Sequence, residues 1–264
     1  MENNYADCSA EELLQGLQWA GRHPDLDLIR ECLERPDELT PGLLRLLEGE
    51  NRDEADGDAW YGQVHAGKLL IAFQEEDAMS LFGDLLCDSE RTTLLEWFDT
   101  DLHALGPSFL STLLDVLQDE SAPAYGRSVT VSTLGQIARK HTKTRGRILA
   151  ALRSELPSLL EDGTVDTPDN VTQDDIEYWS WLALELSELH DEESQPQVEA
   201  LYEANYVDSW MIGDLDAYRD TLQGNGDPTE HEFDIVAEYD RRSYYTSGRY
   251  ASATDSSRSD FSSS

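Results

Sequence analysis

The chain has 264 residues, with 55 Asp+Glu against 19 Lys+Arg, a formal net charge of -36 and a pI near 4.2. A charge of that sign and size repels nucleic acid and anionic membranes on average, and it bears on solubility and partners rather than on fold. Hydrophobic residues make up 39%, among them 6 Trp and 11 Tyr, which is enough apolar material for a core and argues against global disorder.

In chain order, the first apolar patch is Leu13, Leu14, Leu17, Trp19 and Ala20. It follows Ser9 and Glu12 in capping-box spacing, which predicts a short N-terminal capping helix within 1–24. Asp25 to Arg35 places Leu26, Leu28, Ile29, Cys32 and Leu33 at helical spacing, with Pro36 expected as the stop. A second helix is then expected from a Thr40 cap with Pro41 in its first turn, ended by Gly49. The acidic segment 50–58 reads as a solvated loop.

A second pair covers Trp60 to Phe73 and, after an Asp77 cap, Met79 to Leu86. A third begins at Ser89 and returns after Gly106-Pro107 through Phe109 to Leu117. The fourth, Pro123 to Leu160, is a helical hairpin. Its basic turn, Arg139 to Arg147, holds two of the chain's three lysines, and Pro157 is expected to kink the last turn. After a polar loop over 161–173, a fifth pair spans Asp174 to Leu189 and Ser194 to Tyr206. Val207 to Leu222, with Trp210 and Met211, closes the series. From Gln223 on, glycine, Pro228 and a Ser/Tyr/Arg/Asp-rich end without period predict a disordered tail over 223–264.

No segment alternates with period two, so almost no sheet is expected. Helix pairs recur about every 30 to 40 residues, the signature of an α-solenoid in which stacked pairs bury a shared core. The predicted fold class is all-α, with one helical-repeat domain over 25–222.

Several short segments resemble a known family. Leu39-Thr40-Pro41-Gly42-Leu43-Leu44-Arg45-Leu46-Leu47-Glu48, His65 to Phe73, Leu81-Phe82-Gly83-Asp84-Leu85-Leu86, Pro123-Ala124-Tyr125-Gly126-Arg127-Ser128 and Trp210 to Leu215 are similar, in order and spacing, to an uncharacterised bacterial family of HEAT-like helical repeats. The likeness covers residues 25–222 and implies a HEAT-like array with no catalytic residues to carry over. Some members of that family end in a Cys-rich zinc motif of the SEC-C type. This tail has no cysteine, so the resemblance lends no zinc site.

Candidate chemistry is sparse. Gly62 to Leu69 approaches the phosphate-binding pattern G-x4-G-K-[ST], but Leu69 stands where a hydroxyl is needed and the segment has helical period, so a packed helix is expected. Asp53, Asp56 and Asp58 invite a calcium reading, yet the alternate ligand positions counted from Asp53 hold Ala55 and Gly57. His190-Asp191-Glu192-Glu193 reads as a polar helix end. The 6 histidines show no helical zinc spacing. Carboxylate pairs are too abundant in so acidic a chain for any one of them to point to acid–base work. Cys8, Cys32 and Cys87 form no disulfide framework, which suits a reducing cytosol. No basic and apolar leader is visible, and no apolar run approaches the roughly 18 residues of a membrane span. Trp179 and Trp181 point about 200° apart on a helix, so one of them is expected to face solvent or a partner.

These readings lead to a cytoplasmic, non-enzymatic protein-interaction scaffold with no cofactor, no metal and an unidentified protein partner. Arg139, Lys140, Lys143, Arg145, Arg147 and Trp181 are its candidate contact residues, although the basic turn reads first as a counter-charge to the surrounding carboxylates and second as a docking point for an acidic partner. The alternative is a nucleic-acid-associated protein using the basic turn 139–147. An enzyme would require a deep pocket holding a perturbed carboxylate or histidine. The lysine-poor, acid-rich balance further suggests a salt-adapted (halophilic) protein, whose self-repulsion molar salt would screen to a Debye length of about 3 Å. Circular dichroism over a KCl titration is expected to show folding that strengthens with salt; full folding at low salt would overturn the halophilic reading.

Overall fold

Capping chemistry sets several helix boundaries in the computed structural model, which describes residues 5–49, 57–225 and 231–246. Helix α1 (Ala10–Gln18) begins with the expected capping box. The Ser9 hydroxyl accepts from the Glu12 N–H, and the Glu12 carboxylate accepts from the Ser9 N–H at 2.7 Å. Helix α2 (Leu26–Leu33) starts where the Asp25 carboxylate accepts from the Asp27 N–H. Helix α3 (Pro36–Glu48) departs from expectation. Pro36 opens it instead of stopping its predecessor, because a first-turn proline lacks only an N–H that would have no helical partner. Thr40 therefore lies inside the helix rather than at its cap. Gly49 ends α3 at φ 77°, in the left-handed region that a side chain disfavours.

Helix α4 (Tyr61–Phe73) is buried continuously from Gly62 to Ile71. The phosphate-loop lookalike is thus a packed helix. Helices α5 (Ala78–Leu86), α6 (Thr92–Leu95) and α7 (Leu110–Gln118) follow, with a 3-10 segment at Leu102–Phe109 before α7. Helices α8 (Ala124–Lys140) and α9 (Thr142–Ser154) form the anticipated hairpin, but His141 alone separates them. The basic stretch 139–147 is therefore two helix ends rather than a loop. Pro157 lies beyond α9 and kinks nothing. Leu159 and Leu160 leave the expected apolar stripe for the surface, where Leu159 makes an isolated bridge to Val165.

Helix α10 (Gln173–Glu188) starts at a second capping box, Thr172 with Asp175. It is followed by α11 (Gln195–Glu203), α12 (Ser209–Ile212), α13 (Leu215–Leu222) and α14 (Ile235–Thr246). The last of these is a correction: a helix occupies part of the stretch expected to be disordered, and its Ile235 and Tyr239 are buried. Of the apolar residues that mark the closing segment 207–222, Tyr218 and Leu222 are buried, whereas the Trp210 side chain is 98% exposed. Residues 50–56, with Asp53 and Asp56 of the calcium reading, lie outside the described residues, as does the stretch after Thr246. Among the described residues the fold is all-α, and no helix is long and apolar enough to cross a membrane.

The chain divides into two compact units. One contains Met1–Phe73 with Asp234–Ser264, and the other contains Gln74–Phe233. The boundary after Phe73 falls within the stretch expected to be one repeat domain. In the first unit, α14 packs on α2 and α4. The Tyr239 hydroxyl hydrogen-bonds with His65 Nδ1 at 2.6 Å, and His65 Nε2 donates to the Gly21 carbonyl at 2.7 Å. Lys68, whose side chain is 2% exposed, donates to both carboxylate oxygens of Glu238 at 2.9 Å. A buried ammonium strongly favours a bonded counter-charge, and removing that partner costs far more than the pair contributes. Glu238→Ala is therefore expected to destabilise the protein by about 3 kcal/mol, read as a lower thermal midpoint, with Lys68→Met/Glu238→Leu recovering most of the loss.

Candidate functional site

The second unit owes its site to the packing of α10 on α8. Trp181, Leu184, Glu185 and Glu188 follow one another at helical neighbour spacing and share a face of α10. That face meets Ser132, Thr133 and Gln136 on α8, together with Asp99, Thr100 and His103 from the segment before α7. His231 completes the wall. These residues enclose a pocket of about 260 Å³.

Behind it lies a buried ion cluster. One guanidinium nitrogen of Arg139, Nη1, reaches Glu185 at 2.8 Å and Glu188 at 2.9 Å, and all three side chains are under 10% exposed. The approach is possible because residue 135 is glycine. A Cβ there would lie 1.7 Å from Glu185 Oε2. Burial pushes the Glu185 carboxyl up to about 7, with Arg139 pulling the other way and Glu188 adding to the rise. His103 moves in the opposite direction, down to about 4, through burial and the neighbouring Lys140. Its geometry agrees: Nδ1 donates to the Thr100 carbonyl at 2.9 Å, while Nε2 accepts from Lys140 Nζ at 2.9 Å, so the ring is neutral. His231 Nε2 lies 3.2 Å from Asp101 Oδ1. Thr133, 2% exposed, has a hydroxyl with no hydrogen-bond partner among the described residues.

The predicted contact residues separate into three groups. Arg139 is consumed by the Glu185–Glu188 cluster. Lys140 bonds His103 and the His231 carbonyl, and Arg145 donates to the Leu189 carbonyl. Those three hold the unit together from within, in the manner of counter-charges and donors rather than of a free docking corner. Lys143 and Arg147 are exposed on α9. Trp181 is the sixth, and the structure places it in the wall of the pocket, while Trp179 is buried against the Tyr206 ring. Glu185, Glu188, Thr133, His103 and His231 were missed. One readable signal existed. Glu185 falls three residues after Leu182, within the apolar stripe of α10, and a charged residue on such a stripe needs a buried counter-ion.

Elsewhere α8 and α10 are joined by the Arg127 guanidinium, 4.0 Å from the centre of the Tyr178 ring, and by Glu155, which bonds both side chains. Among the described residues no group of three or more His, Cys, Asp or Glu could hold a metal ion. The Cys32 thiol is inert, its pKa pushed by burial up to about 12.

Fold and site together define an all-α protein with an acidic, aromatic-walled pocket between helices. The chain matches the family described as "Protein of unknown function (DUF1186)" over residues 9–220 and belongs to it. No curated protein and no solved structure matches the chain.

The Glu185 carboxyl holds its proton to higher pH in the fold than in the unfolded chain, where the value is 4.5. The stabilisation from this group is complete below that value and is lost as pH rises through about 7. Glu185→Gln removes that slope. Urea unfolding at fixed KCl is expected to show the variant gaining stability relative to the parent between pH 5 and pH 8, on the order of a few kcal/mol at most.

Proposed function

We propose that the protein is a non-enzymatic, cytoplasmic interaction scaffold of salt-adapted type, and that it recognises its protein partner through the pocket of the second unit. The observation that carries this reading is Trp181: a large aromatic, half-buried, set in the wall of an open pocket beside buried polar groups. Aromatic anchors of this kind dominate interface energies. The pocket also holds the raised carboxyl and lowered histidine that an enzyme would require, but Arg139 engages Glu185, and Thr100 and Lys140 engage both ring nitrogens of His103, which favours binding over proton transfer.

The repeat reading has support of its own. Helices α8 and α9 pack on each other as a hairpin, and α10 packs on α8, the contact between first helices that stacked HEAT-like repeats require. The charge of -36 with only three lysines supports the salt-adapted part. The nucleic-acid reading retains only Lys143 and Arg147 as exposed cations on the 139–147 corner.

Affinity capture from native lysate at native salt, with parent and Trp181→Ala as paired baits, tests the proposal. The expected result is a protein recovered by the parent and reduced about tenfold or more by the variant, with unchanged circular dichroism. Equal recovery by both baits would remove the pocket from the interaction.

A further inference from the structure

The lining of the pocket says what it can hold. Three carboxylates, Asp99, Glu185 and Glu188, face it, and neither lysine nor arginine is among its lining residues. Arg139 stands behind the acids and is not part of the wall. The Lys140 ammonium is turned to His103 and the His231 carbonyl. The Trp181 ring supplies a π-face, on which a cation is attracted by the ring quadrupole. Carboxylates alone would not make a site in a chain this acidic. The independent observation is the Thr133 hydroxyl, nearly fully buried on a residue that lines the same pocket and, among the described residues, without a hydrogen-bond partner. A buried hydroxyl left unbonded is unfavourable, and an N–H donor entering the pocket would satisfy it.

We infer that the pocket between α8 and α10 binds an alkylammonium group, seated against Trp181, with its charge met by Asp99 and by the Glu185–Glu188 pair, which shares a single arginine, and one N–H directed at the Thr133 hydroxyl. This rests on the proposed reading of the pocket as the recognition site, and it names the chemistry recognised there. Such a group has two sources: a free primary amine, or a lysine side chain of the partner protein. The pocket, at about 260 Å³, has room for a short alkyl chain with its ammonium and little more. A neutral alkanol of the same length lacks the charge that both the ring and the acids recognise.

Titration calorimetry on the full chain at fixed KCl is the test, with n-butylammonium, 1-pentanol and the blocked tripeptide acetyl-Gly-Lys-Gly-amide as probes. Butylammonium or the peptide is expected to bind at least about tenfold more tightly than pentanol. Trp181→Leu is expected to weaken that binding by about tenfold, and Trp181→Phe to restore most of it. Preference for the amine identifies a free metabolite as the source, preference for the peptide identifies a partner's lysine, and either supports the inference. Absence of binding by both cations, or equal binding of pentanol, overturns it. Should Trp181→Leu fail to fold, Thr133→Val takes its place, with weaker butylammonium binding expected and unchanged binding counting against the site. If cation binding fails while Trp181→Ala still loses the captured partner, the inference falls and the proposed function stands. If the cation binds and both baits capture equally, the interaction proposal fails instead.

Discussion

The second unit depends on one guanidinium. Arg139 reaches Glu185 and Glu188 across the seam between α8 and α10, and Gly135 lets the carboxylate come against the helix backbone. Desolvating three charges is expensive, and a well-packed apolar trio of the same volume is often at least as stable. The cluster nevertheless has a geometric consequence. It fixes which turn of α10 faces which turn of α8, and with that register it sets Trp181 at the rim and Thr133 in the wall. Stability and site geometry therefore share the same atoms. The Glu185 carboxyl, poised near neutrality, is where the two meet.

The first unit solves a similar problem differently. Its central helix, α4, is buried on nearly every side, so the lysine and histidine within it cannot reach water. Both are met by α14, through Glu238 and Tyr239 one position apart. Adjacent residues on a helix point about 100° apart, so two neighbouring partners can serve residues separated by three positions on α4 without distorting either helix.

Local chemistry was legible in the sequence, and long-range pairing was not. Ser9 with Glu12 and Gly49 each announce a helix boundary by themselves, because the groups they satisfy lie within a few residues. The opposed directions of Trp179 and Trp181 follow from helix geometry alone, and the structure separates the two as expected. Pro36 misled because a proline that stops one helix equally well starts another, and only the next turn decides between them. That the cations of 139–147 offset carboxylates follows from the charge balance, but their partners, the Glu185 carboxylate and the Leu189 carbonyl, lie more than 40 residues away and could not be named. Likewise α14 carries a composition of Tyr, Arg, Asp and Ser that describes a tail. It becomes structure only against His65 and Lys68.

That last pairing spans 170 residues of sequence. A chain made from its N-terminus exposes α1 to α4 long before Glu238 exists, while every residue of the second unit emerges in between. The buried lysine of α4 must wait, solvated or borrowed by other partners, until the 170 residues up to Glu238 have been made. Contacts of such separation form late and slowly, and domains generally complete in the order they are made. Here the order is inverted: the second unit can finish first, and the closing event of folding belongs to the unit whose synthesis began it.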